Sequence, residues 1–76
     1  MPHVIVKLYP GRSEEQKAAI AEAVTQAVMA TANCTEAAVS VGIEEVAKPD
    51  WTARVYHPDI TEKQATIYKQ PGYPPA

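Results

Sequence analysis

The sequence predicts an α/β fold of βαβ type: a strand, a long helix and a second strand, followed by a short C-terminal helix. Three observations predict it. His3-Val4-Ile5-Val6-Lys7-Leu8-Tyr9 and the run through Val39, Val41 and Ile43 alternate with the period of two that marks a strand. Between them, Ile20, Val24, Ala27 and Val28 recur at helical spacing in an alanine-rich stretch. Ser13-Glu14-Glu15-Gln16 opens that stretch as a capping box, with Ser13 as cap and Gln16 reaching back.

In the first strand Val4, Val6 and Leu8 face one way, and His3, Ile5, Lys7 and Tyr9 face the other. Pro10-Gly11 stops it. Glu14 and Glu15 then lie in the first helical turn, where the helix dipole favours negative charge. The helix runs to about Ala32 and, at 1.5 Å per residue, is roughly 28 Å long. Asn33 suits a left-handed terminator. The second strand sets Val39, Val41 and Ile43 against Ser40, Gly42 and Glu44 and ends near Val46. Strands joined through a helix are parallel, with a right-handed crossover. Beyond Lys48-Pro49-Asp50-Trp51 the pattern weakens. Pro58 and the box Thr61-Glu62-Lys63-Gln64 suggest where the short C-terminal helix starts, and Pro71-Gly72 ends it.

Seventy-six residues imply a single domain over 1–76. A chain this small buries only roughly 60% of the surface its unfolded form exposes, and such domains need a staple or a partner. The lone Cys34 excludes an internal disulfide, and His3 and His57 give no zinc spacing. A two-stranded parallel sheet also leaves two edges and a face uncovered. The chain is therefore expected to form a homo-oligomer, most simply a dimer. A net charge of −2 without a basic cluster argues against nucleic acid or an anionic membrane as partner. No targeting or membrane-spanning segment is apparent, so the expected location is cytoplasmic.

Pro2 is the first candidate for chemistry. Removal of Met1, usual before a small second residue, would turn its nitrogen into a secondary amine. A backbone α-amine titrates near ~8, and desolvation or a nearby cation favours its neutral, basic form. Proline is common at this position, so other residues must supply the rest of the argument. Arg12, between Gly11 and Ser13, is either a solvated loop arginine or a carboxylate-binding one beside helix amides. Trp51, the only tryptophan, is either a core aromatic or an apolar wall beside an amine. Arg54 and His57 read as surface residues and Cys34 as structural.

Pro2 opening a strand, then Gly11-Arg12-Ser13-Glu14-Glu15-Gln16-Lys17, a long helix and a second strand, resembles the 4-oxalocrotonate tautomerase family over about Pro2 to Trp51. That superfamily shares its fold with macrophage migration inhibitory factor. Lys69, Pro71, Gly72 and Tyr73 resemble its dimeric bacterial branch, tautomerases of phenylpyruvate-type enols. The resemblance implies a proton shuttle at Pro2, with Arg12 holding the substrate carboxylate and Trp51 keeping the site dry. It implies no metal or organic cofactor. Ser40 stands where the hexameric enzymes carry a second arginine, so a 2-oxo monocarboxylate with an apolar or aromatic end fits better than a dicarboxylate. Ser40 thus joins Arg12 and Trp51 as a substrate-binding candidate. The longer segment after Trp51 favours a dimer over a hexamer.

Two other readings stand beside enol–keto tautomerisation. One is a superfamily dehalogenase or hydratase, with Glu44 or Glu45 activating water. The other is a non-catalytic oligomeric binding module on the same fold.

Overall fold

Strand β1 spans His3–Leu8, helix α1 Glu14–Ala32 and strand β2 Ser40–Glu45 in the computed structural model, which describes residues 1–76. β1 and β2 pair in parallel, from His3 opposite Ser40 to Leu8 opposite Glu45. The βαβ arrangement is the expected one. Two compact units make up the chain, Met1–Glu45 and Val46–Ala76.

Gly11 has a φ of 126°, a conformation that costs glycine little and other residues much more, and it turns the chain from β1 toward α1. The capping box forms as the sequence predicts. Gln16 N–H donates to Ser13 Oγ at 3.1 Å, and Ser13 N–H donates to Gln16 Oε1 at 2.8 Å. Two otherwise orphaned donors at the helix start are satisfied reciprocally. At the other end Asn33 adopts the left-handed conformation (φ 56°, ψ 56°), and its N–H bonds to the Met29 carbonyl.

His3 and Ser40 side chains bond to each other across the register, so His3, Ile5, Lys7, Ser40, Gly42 and Glu44 share one sheet face. The opposite face carries Val4, Val6, Leu8, Val41 and Ile43. Lys17 of α1 reaches Glu45 on that face at 3.8 Å, which sets the helix over it. Ile20, Val24 and Val28 are half-buried, as their spacing predicts, whereas Ala27 is exposed. Ala21, Thr25 and Met29 take its place, so the covered stripe is rotated from the one predicted. Not one residue of the first unit is fully buried, and Ile5 on the open face is 50% exposed.

The second unit holds both fully buried residues, Val46 and Val55. Its helix α2 spans Thr52–Thr61, starting ahead of Pro58 rather than at it. α2 winds in wide turns, closed at its end by the Glu62 N–H to the His57 carbonyl, five residues back, at 3.0 Å. The physical reason lies in Pro58. It has no N–H to donate, and in a tighter helix its ring meets the carbonyl four residues before it. Thr61–Gln64 does not cap a helix; a single tight turn at Gln64–Thr66 follows instead.

Replacing Ser13 by alanine removes one half of the capping box and leaves an amide of α1 without its partner. The expected cost is about 1 kcal/mol of stability. Urea unfolding checks it, through a lower midpoint at an unchanged slope.

Candidate active site

Pro2 is half-buried immediately before β1, and its carbonyl accepts the Ser40 N–H at 3.2 Å. This bond extends the strand ladder one step past His3, so Pro2 is tied to β2 rather than frayed. Met1, by contrast, is fully exposed. The Ser40 side chain bonds to His3 Nδ1 at 2.6 Å, with the serine hydroxyl donating when the ring proton is on Nε2. One strand register therefore gathers Pro2, His3 and Ser40. His3 was not among the residues the sequence singled out. Strand alternation could have found it, since the residue facing Ser40 follows once the register is known.

Arg12 lies at the other end of β1, exposed in the loop between Gly11 and the α1 cap. Its Nη1 donates to the Tyr9 carbonyl at 3.4 Å, a long hydrogen bond that leaves other guanidinium donors facing solvent. The six residues of β1 separate Pro2 from Arg12 by about 20 Å at roughly 3.3 Å per residue. An arginine side chain does not span that distance. Within one chain, then, Pro2 and Ser40 are brought together, and Arg12 is not brought to them.

Trp51 belongs to the second unit, where it is half-buried at the entrance to α2. Its Nε1–H donates to the Tyr73 hydroxyl at 3.0 Å. The Tyr73 ring meets Tyr56 edge-on, with centroids 5.7 Å apart and planes at 68°. Tyr56 also donates its hydroxyl to the Tyr73 carbonyl at 3.4 Å. Edge-to-face aromatic contact places a positive ring edge against a negative ring face. Tyr73 figured in the sequence reading only as a family signature, because nothing local links positions 22 residues apart.

Of the carboxylates considered for water activation, Glu45 faces Lys17 and Glu44 is exposed on the open sheet face. Cys34 is half-buried, with its Sγ 3.9 Å from the Val28 carbonyl, as suits a structural thiol. Arg54 and His57 are exposed. No three His, Cys, Asp or Glu side chains gather in a way that could hold a metal ion, and no helix is long and apolar enough to cross a membrane.

Residues 2–55 match the model of a family described as tautomerase enzyme. A probable tautomerase of Xylella fastidiosa is 40% identical over 73 residues, which cover 96% of this chain and 89% of the relative. The tautomerase PptA of Klebsiella pneumoniae subsp. pneumoniae is 39% identical over 74 residues, covering 96% and 97%. Among solved structures, the chain is similar to YwhB, a homologue of 4-oxalocrotonate tautomerase, with a TM-score of 0.60 and 45% identity over 62% of this chain and 77% of that one. It is also similar to TomN, a 4-oxalocrotonate tautomerase homologue of the tomaymycin biosynthetic pathway, with a TM-score of 0.64 and 38% identity over 66% and 77%.

Proposed function

This chain belongs to the tautomerase enzyme family, and we propose that it interconverts the enol and keto forms of a 2-oxo monocarboxylic acid of phenylpyruvate type, with the amine of Pro2 as general base. The observation that carries the proposal is the state of the first two residues. Met1 is fully exposed, so its removal disturbs no packing, while Pro2 is held by the Ser40 N–H at 3.2 Å. Trimming then yields a secondary amine anchored at a sheet end.

In the proposed reaction the neutral amine takes the proton from the enol hydroxyl. The O–H electrons become the second bond of the ketone, and the carbon–carbon double bond takes a proton back from the ammonium at C3. One residue thus serves as base and then as acid, and the amine returns to its starting state. The substrate carboxylate needs a cation. Since β1 keeps the chain's own Arg12 about 20 Å away, the proposal assigns this role to Arg12 of the partner subunit in a homo-oligomer, a dimer being the simplest form. The lack of any fully buried side chain in residues 1–45 supports such an assembly, because association covers what one chain leaves open. Ser40, beside Pro2, offers a neutral hydroxyl to the substrate. The reaction as proposed needs no metal or organic cofactor. One domain over 1–76, active in the cytoplasm, completes the proposal.

Three outcomes are expected. Pro2→Ala lowers kcat/KM for a phenylpyruvate-type enol by roughly 10²–10⁴-fold, and retention of Met1 lowers it at least as far, because an amide nitrogen has no usable lone pair. Activity of the processed protein rises with pH as the amine loses its proton, through one ionisation at or below about 8. Absorbance assays on proteins of confirmed mass measure this, and equal rates in all forms would reduce Pro2 to the start of a strand. Arg12→Ala lowers kcat/KM roughly 10–150-fold, the worth of a charged hydrogen bond expressed in the transition state, while thermal unfolding shifts little. Finally, Pro2→Ala and Arg12→Ala chains, unfolded together and refolded, recover about a quarter of parental activity, since random pairing restores one native site in four. No recovery would place both residues in one subunit's site.

A further inference from the structure

Removal of Met1 makes Pro2 and His3 the first two residues, and together they carry three nitrogens suited to one metal ion. The first is the secondary amine of Pro2, freed once the fully exposed Met1 is gone. The second is the main-chain nitrogen of His3. In a parallel pair, successive residues of a strand turn their N–H and C=O alternately toward the neighbouring strand and away from it. The Pro2 carbonyl accepts the Ser40 N–H, so Pro2 faces β2 and the His3 N–H points away, outside the β1–β2 ladder. The third is His3 Nδ1, on an exposed side chain and bonded to Ser40 Oγ at 2.6 Å.

We propose that the trimmed amino terminus is a copper(II) site, built from the Pro2 amine, the deprotonated His3 amide nitrogen and His3 Nδ1, and that copper bound there silences the base. The inference rests on the reading of Pro2 as a free amine. Pro2 and His3 are adjacent, so these nitrogens close two fused chelate rings around one ion. The planar amide at their centre flattens the set. A planar nitrogen set selects copper(II) or nickel(II), and of the two copper binds more tightly. Zinc favours a tetrahedral set instead. No cluster of metal-binding side chains is needed, because two of the three ligands belong to the main chain.

Closing the chelate takes two movements. The pyrrolidine ring turns about its Cα–C bond to bring the amine beside the His3 nitrogen. With no residue ahead of Pro2, that turn leaves the peptide plane and its bond to Ser40 in place. The His3 ring then exchanges the Ser40 hydroxyl for the metal. The His3 amide gives its hydrogen to solvent, and an amine or imidazole that was protonated gives up its own proton. The metal now holds the lone pair that the proposed base needs, so copper and the substrate proton compete for one atom.

The test titrates copper(II) into processed protein of confirmed mass, with glycine as competing chelator. It reads the visible ligand-field band and the nitrogen splittings in electron paramagnetic resonance. The expected result is one copper per chain in a three-nitrogen set. His3→Gln and retention of Met1 each weaken Kd by more than about 100-fold, since each removes a ligand rather than a neighbour of one. With Met1 retained, the Pro2 nitrogen is an amide with no usable lone pair. Ser40→Ala tightens copper roughly 2–10-fold, the size of one hydrogen bond that no longer competes for Nδ1. Enol turnover by the processed protein falls in step with copper bound and returns when EDTA removes it. The same affinity and spectrum in Met1-retaining or His3→Gln protein would overturn the proposal and assign the copper to other surface groups. Turnover that persists with the site filled would overturn the silencing of Pro2. A processed protein that binds copper through three nitrogens, yet turns over no enol without it, would sink the tautomerase reading and leave the copper site standing.

Discussion

The parallel register of β1 on β2 is the constraint on which the first unit depends. It sets His3 opposite Ser40 and, one step further, lets the Ser40 N–H hold the Pro2 carbonyl. A shift of one residue would move every side chain of β1 to the other face. Val4, Val6 and Leu8 would leave the helix-covered face, and the His3–Ser40 bond would be lost. The same pairing that buries the apolar face thus positions the residue proposed as base.

The register also limits what one chain can do. Because β1 runs its full length between Pro2 and Arg12, the proposed base and the proposed carboxylate-binding cation lie at opposite ends of the same strand. Added to an open sheet face and a helix without a fully buried residue, this gives association two separate physical motives. One is hydrophobic, since half-exposed apolar side chains such as Ile5 gain from being covered. The other follows from the proposed chemistry, in which a second copy brings the arginine that the first cannot reach with its own.

The second unit works on different terms. It holds two buried valines, and directional contacts link its start to its tail: an indole N–H on a phenol, a phenol on a carbonyl, and one edge-to-face ring pair. Directional contacts orient side chains where small apolar cores only collect them.

By itself the sequence determined the local elements. Alternation marked β1 and β2, Ser13 and Gln16 marked the start of α1, and Asn33 marked its end, because each signal acts within a few residues of its own position. Pro2, Arg12, Ser40 and Trp51 were legible as candidates for the same reason, through residue type and motif. The tertiary structure alone decided which of them meet. It joined Pro2 to Ser40 and tied Trp51 to Tyr73, and it kept Arg12 a strand's length from Pro2. It also widened α2 around Pro58, where the residue pattern had suggested a later start. These contacts depend on strand register and on the closure of long loops, and no short-range periodicity encodes either.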